Sequence, residues 1–159
     1  MRATGLAFVL LSLASSAFAV DLGKAEGSLT VNQTRIDLGY AYAVGHQKND
    51  ITKRSDEVKV VLTDKPLADS INLNDLDFNF PDGILGLIVF ITNDEKVSHV
   101  IVQHPTGTFD SGYTEDGREY RFKPSKGDSG TISGEASSRK VQTNTMNFSF
   151  DVEFAAKVR

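Results

Sequence analysis

Polar and apolar residues alternate most clearly in two stretches. Residues 27–44 read GSLTVNQTRIDLGYAYAV. Leu29 and Val31 alternate with polar neighbours, Asn32-Gln33 breaks the pattern, and Ile36, Leu38, Tyr40, Tyr42 and Val44 resume it. Successive side chains of a strand point to opposite faces, so this stretch predicts a hairpin whose second strand has one apolar face. The other face carries Arg35, Asp37, Gly39, Ala41 and Ala43. Near the C-terminus Met146, Phe148, Phe150, Val152 and Phe154 alternate with Asn147, Ser149, Asp151 and Glu153. Each buried apolar side chain contributes ~1.5–3 kcal/mol, which makes this stripe a main source of core stability. The two apolar faces are equally long and are expected to line one core.

The chain between them is rich in shorter signals. Val58, Val60 and Leu62 predict a third strand, ended by Asp64-Lys65-Pro66 because proline cannot donate to a ladder. Residues 66–70 predict a helical turn, with Pro66 at its first position and Asp64 nearby as a cap. Leu76, Phe78 and Phe80 alternate with Asp75, Asp77 and Asn79 as an edge strand would, and Pro81-Asp82-Gly83 reads as a turn. Residues 84–92 are apolar on both faces, the mark of a central strand covered on both sides. After a turn at Asn93-Asp94-Glu95-Lys96, residues 97–104 return with Val100 and Val102 on one face and Val97, His99 and Ile101 on the other. Tyr120 and Phe122 mark another strand, and residues 131–136 a short one. Residues 45–55 and 108–117 read as polar loops, the second with room for a short strand. About eight closely spaced strands with almost no helical period predict an all-β fold. It would be an antiparallel β-sandwich or flattened barrel with at most one short helix.

The first nineteen residues are set apart. Arg2, an apolar run over 6–14 and Ala17-Phe18-Ala19 have the layout of a secretory signal peptide. The run is shorter than the ~20 residues a membrane span needs. Cleavage before Val20 is expected, leaving a single β domain over 20–159 that is exported, periplasmic or extracellular. The later apolar run over 84–91 is also far below spanning length, so no membrane span is expected. Without Arg2 the chain carries 16 basic and 21 acidic residues, a mildly acidic balance that argues against nucleic acid as a partner. There is no cysteine, hence no disulfide, thiolate metal site or Cys nucleophile. A small exported domain without disulfides must rely on core burial, a route common among bacterial exported proteins.

Three short motifs carry a resemblance. They are Gly27-Ser28-Leu29-Thr30-Val31-Asn32, Tyr40-Ala41-Tyr42-Ala43 and Val60-Val61-Leu62-Thr63-Asp64-Lys65-Pro66. In this order, followed by Ser133-Gly134 and an aromatic C-terminal strand, the chain resembles a group of uncharacterised exported bacterial proteins. That group has a G-x-L-x-V-[ND] hairpin, an A-Y-A strand and a V-L-L-T-D-x-P strand end. Its usual His before Ala-Tyr-Ala is replaced here by Gly39 or Tyr40. The resemblance implies an all-β exported domain and carries no activity.

Several constellations suggest chemistry. Gly127-Asp128-Ser129-Gly130 matches the tetrapeptide around the nucleophile of trypsin-like serine proteases, and the chain order His46, Asp94, Ser129 is compatible with a triad. However, Ala-Ala-His is missing before His46, Thr131-Ile132 replaces the usual Gly-Pro, and the chain is too short for two barrels. A tight turn selects the same residues. Asp75, Asp77 and Asn79 occupy positions one, three and five of a calcium loop, but Phe80 and Gly86 stand where it needs Gly and Glu. His99 and His104 are an odd number of positions apart, which puts them on opposite faces of a strand. No catalytic residue, metal site or cofactor is therefore expected. Tyr40 and Tyr42 suit either an aromatic ligand platform or core packing, and the small residues Gly39, Ala41 and Ala43 would allow close approach by a second layer or a partner. These five are the candidate binding residues. The expected function is a non-enzymatic binding or interaction domain for an unknown protein or small molecule. The alternatives are a carrier holding a small apolar ligand in a β-barrel cavity, and a secreted serine hydrolase using Ser129.

Overall fold

A computed structural model describes residues 20–46, 57–77, 80–112 and 119–159; the expected leader lies outside them. Ten strands follow in order: β1 Lys24–Val31, β2 Thr34–His46, β3 Glu57–Thr63, β4 Gly86–Thr92, β5 Val97–His104, β6 Gly107–Asp110, β7 Tyr120–Pro124, β8 Thr131–Ser138, β9 Val141–Gln142 and β10 Asn147–Lys157. A 3-10 turn, Leu73–Asp75, is the one helical element among them. All ten strands belong to a single antiparallel sheet rather than two, in the order β6-β5-β4-β3-β2-β1-β10-β8-β7, with β9 beside β10. The sheet curls into a half-barrel. At the β1–β2 turn both central residues have positive φ, Asn32 at 47° and Gln33 at 73°. That is the turn hand that matches the right-handed twist of the flanking strands.

The concave face holds the main core. Phe148, Phe150, Val152 and Phe154 of β10 and Met146 just before it are buried in it, together with Leu29, Leu38, Val60, Leu87 and Val100 from other strands. Phe109 of β6 packs on Phe148 of β10 with ring centroids 5.2 Å apart, although five strands separate them along the sheet. The Tyr120 hydroxyl hydrogen-bonds Ser111, and the Ser111 hydroxyl in turn accepts from the Val100 amide (3.0 Å). The two ends of the sheet thus meet through side chains. Phe122 of β7 lies across Gly134 of β8 to stack with Phe154, centroids 5.9 Å apart. A Cβ on Gly134 would come within 2.8 Å of that ring and 2.3 Å of the Lys123 carbonyl.

A second cluster sits on the convex face of β2 to β5: Val44, Val61, Ile88, Phe90 and Ile101. Residues 64–77 cover it with Leu67, Leu73 and Leu76. β4 therefore feeds both clusters, Leu87, Val89 and Ile91 inward and Ile88 and Phe90 outward, as its two-sided pattern requires. Polar bonds fix the cover. The Tyr42 hydroxyl accepts from the Leu67 amide (2.9 Å), and Asp64 accepts from the Leu85 amide (2.8 Å). Lys59, fully buried, pairs with Asp77 and donates to the Asn74 carbonyl (3.2 Å).

Four local expectations change. The apolar face expected for β2 is split: Ile36 and Leu38 join the main core, whereas Tyr42 and Val44 pack in the convex cluster. The cause is a bulge. Gly27 pairs with Leu38 but Lys24 with Tyr40, so the alternation of β2 slips by one residue. A second bulge, where Phe90 pairs with His99 and Ile91 with Val97, turns Val97 to the main core beside Val100. The helical turn forms at Leu73–Asp75 rather than over 66–70, because Asn72 caps it by accepting from the Asn74 amide (3.2 Å). No edge strand runs through 76–80 among the described residues; Leu76 follows the 3-10 turn and faces the convex cluster, while Phe78 and Asn79 lie outside the described residues.

Candidate functional site

The lead-in to β1 folds back against β10. The Gly23 amide donates to the Ala155 carbonyl (2.7 Å), and the Gly23 carbonyl accepts from Ala41 (3.1 Å). Val20 and Leu22 are thereby held beside the outer end of β10. On the other side, the β7–β8 turn is closed by the Ser125 amide donating to the Ser133 carbonyl (2.9 Å) and Thr131 to the Asp128 carbonyl (3.0 Å). Gly130 takes the left-handed conformation this turn needs, with φ 78°. Between lead-in and turn lies a groove of about 470 Å3, walled by Val20 and Leu22, by Lys126, Asp128 and Thr131, and by Phe154 of β10. Leu22 is 59% exposed, the large apolar side chain left in solvent among the described residues.

Glu153 borders this groove and also a second, polar cleft of about 580 Å3 on the outer face of β1, β8 and β10. Glu26, Ser28, Arg35, Glu135 and Asp151 line the rest of it. The strand register explains its character. Glu26 of β1 stands directly opposite Glu153 of β10, and Glu153 directly opposite Glu135 of β8. Gly27 makes the β1–β10 approach possible, since a Cβ there would meet the Asp151 carbonyl at 2.2 Å.

The five residues proposed from sequence as a binding set do not share one face. Ala41 and Ala43 are buried at 2% and 1% exposure in the main core, where the close neighbours are core side chains. Tyr42 packs outward and anchors Leu67, and Tyr40 lies under the Lys24 ammonium, 4.6 Å from its ring centroid. Gly39 has open space where a side chain would be. A ligand on this strand would reach Gly39, Tyr40 and the edge of Tyr42, and would have to displace packed core to touch the two alanines.

Other marked residues are also dispersed. Ser129 sits in the β7–β8 turn, His46 ends β2 with its ring 5.5 Å from Phe90, and Asp94 lies in the β4–β5 turn. No hydrogen bond among the described residues joins the three. Lys96 (2.6 Å) and then Thr92 (2.5 Å) bond Asp94 and hold its carboxyl below the usual range. His99 is buried and stacked on Phe90 at 3.8 Å, with Ser98 Oγ 3.2 Å from its Nδ1. His104, on the other face, meets Thr106 Oγ1 at 2.8 Å, and burial lowers its pKa. Asp75 accepts from Asn72 (2.9 Å) and Asp77 is occupied by Lys59, so the acids of the calcium-like spacing are turned to structural work. Among the described residues no group of three His, Cys, Asp or Glu side chains could hold a metal ion, and no helix is long and apolar enough to cross a membrane.

Sequence reasoning passed over the groove. Leu22 lies in a lead-in without period, Asp128 carries only the signal of a tight turn, and Thr131 that of the start of a short strand. The one available signal was Leu22 itself, an apolar residue outside any alternating stretch. No protein family, curated protein or solved structure matches the chain.

Proposed function

We propose that this chain is an exported, non-enzymatic binding domain whose ligand occupies the groove between residues 20–22 and the β7–β8 turn. The carrying observation is the groove itself: a concave surface, apolar over most of its area, with Lys126, Asp128, Thr131 and Glu153 among its polar groups. Exposed Leu22 on one wall gives an incoming apolar group something to cover. The aromatic packing of the half-barrel interior, Phe109 on Phe148 and Phe122 on Phe154, favours a surface site over an internal one. Export rests on the signal-peptide pattern of residues 1–19 and on the resemblance to exported β proteins.

A titration of 15N-labelled protein with the neutral peptide acetyl-Leu-Ala-Leu-amide tests the site. The amide signals of Leu22, Thr131 and Ala155 are expected to shift together and to saturate. A Thr131→Trp substitution, which fills the groove, is expected to remove the response. Shifts confined to other surfaces, or none at peptide saturation of the solvent, would overturn the reading.

A further inference from the structure

Glu153 lines the polar cleft as well as the groove, so the apolar wall of Val20, Leu22 and Phe154 and the acidic residues Glu135 and Glu26 adjoin at this one side chain. The acidic side is costly for the fold. Side chains directly opposite on antiparallel strands have Cβ atoms about 5 Å apart, and like charges in that position repel. Here three glutamates stand in one such row across β1, β10 and β8, with Asp151 one row-pair further along β10. Among the described residues none of the three makes an ion pair. Of four nearby cations, two are engaged by other groups, and one of these, Arg35, itself lines the cleft. Arg35 is bonded to Asp37 (2.7 Å), and Lys24 lies over Tyr40. Lys123 stands opposite Glu135 at the outer end of the row, and Lys126 shares the groove wall with Asp128.

Building on the groove as the binding site, we propose that its partner is a basic peptide segment with an apolar end. The apolar residues would seat against Leu22 and Phe154, and Lys or Arg side chains would lie along Glu153, Glu135 and Glu26. Antiparallel strands lie ~4.8 Å apart, so the row across three strands spans about 10 Å, within reach of a few extended residues at ~3.3 Å each. An exposed ion pair strengthens binding only a few-fold, so three together raise affinity about tenfold and do so in a salt-dependent way.

The test compares acetyl-Leu-Ala-Leu-amide with the same peptide extended by three Lys or by three Glu, each extension placed at either end. Binding is read by amide shifts on the unsubstituted protein and on Glu26→Gln/Glu135→Gln, which leaves Glu153 and the groove walls intact. The expected result is that one Lys-extended peptide binds about tenfold tighter than the neutral one. Its advantage should vanish at high salt and in the double variant, while neutral-peptide binding stays unchanged. Equal affinity for Lys- and Glu-extended peptides, or a Lys advantage that survives in the double variant, would overturn the partner assignment and leave the groove standing. Absence of neutral-peptide binding, with Lys peptides shifting only the glutamate row, would overturn the groove reading itself.

Discussion

The ammonium of Lys59, fully buried in the middle of β3, is ion-paired with Asp77 in the segment that covers the convex face. A lysine here looks misplaced in an apolar strand until the cover is in place. Asp77 and the Asn74 carbonyl then supply the partners that make its burial tolerable. Lys59→Met leaves Asp77 unpaired, and is expected to cost about 3 kcal/mol, at the low end for a broken buried pair because Asp77 remains 35% exposed. Lys59→Met/Asp77→Leu should recover most of that loss. Urea unfolding of the two variants checks both expectations.

Tyr120 ties β7 to the residue after β6 through Ser111. Burial raises its pKa above the ordinary 10, with the Ser111 hydrogen bond opposing the shift. The folded state thus favours the neutral phenol. Its contribution is complete below pH 10 and is lost as pH rises through the folded value. Phenolate absorbance should show a late tyrosine step above pH 10. Tyr120→Phe should remove that late step and cost ~1 kcal/mol for the lost hydrogen bond.

Two glycines of the same sheet should respond oppositely to a methyl group. At Gly134, φ is 153° and a Cβ would meet the Lys123 carbonyl at 2.3 Å. Gly134→Ala is expected to destabilise by about 2–3 kcal/mol. At Gly39 nothing lies within 4 Å of the added atom, so Gly39→Ala should change stability by less than ~0.5 kcal/mol. Thermal unfolding separates the two outcomes.

The β1–β2 turn holds a glutamine in a glycine conformation, with Gln33 at φ 73°. Left-handed backbone costs an L-residue ~1–2 kcal/mol, part of which glycine returns as entropy in the unfolded chain. Gln33→Gly, which restores the preferred Asn-Gly pair, should stabilise the protein by about 0.5–1 kcal/mol. A rise in the melting temperature checks it.

The glutamate row predicts a stabilising charge removal. Glu153 faces a like charge on both sides, Glu26 and Glu135. Glu153→Gln should raise stability by about 0.2–1 kcal/mol at low salt, with the gain shrinking as salt screens the row. Denaturation at two ionic strengths decides it.

The stripe of β10 was fully legible because its alternation runs from Met146 to Phe154 with no bulge, and each of the five side chains is buried as the pattern requires. β2 was legible only to Leu38. Beyond it the face of each residue depends on where β1 slips against it, between Lys24 and Gly27, and no local pattern in β2 records what its neighbour does. That slip is why Ala41 and Ala43 are core and Tyr42 is not. The groove was illegible for a related reason. Val20, Asp128 and Phe154 are far apart in sequence and meet only because the lead-in bonds to β10 and the β7–β8 turn folds beside it.

Strand periodicity is a local property of neighbouring side chains, and so the residues alone specify an all-β, antiparallel fold built on the C-terminal aromatic stripe. The closing of the strands into one curled sheet, the pairing of Lys59 with Asp77 and the shared row of Glu26, Glu153 and Glu135 arise at the level of the whole fold. Those outcomes depend on register between strands remote in the chain. Register is set by packing and bulges acting together, which no single stretch of residues encodes.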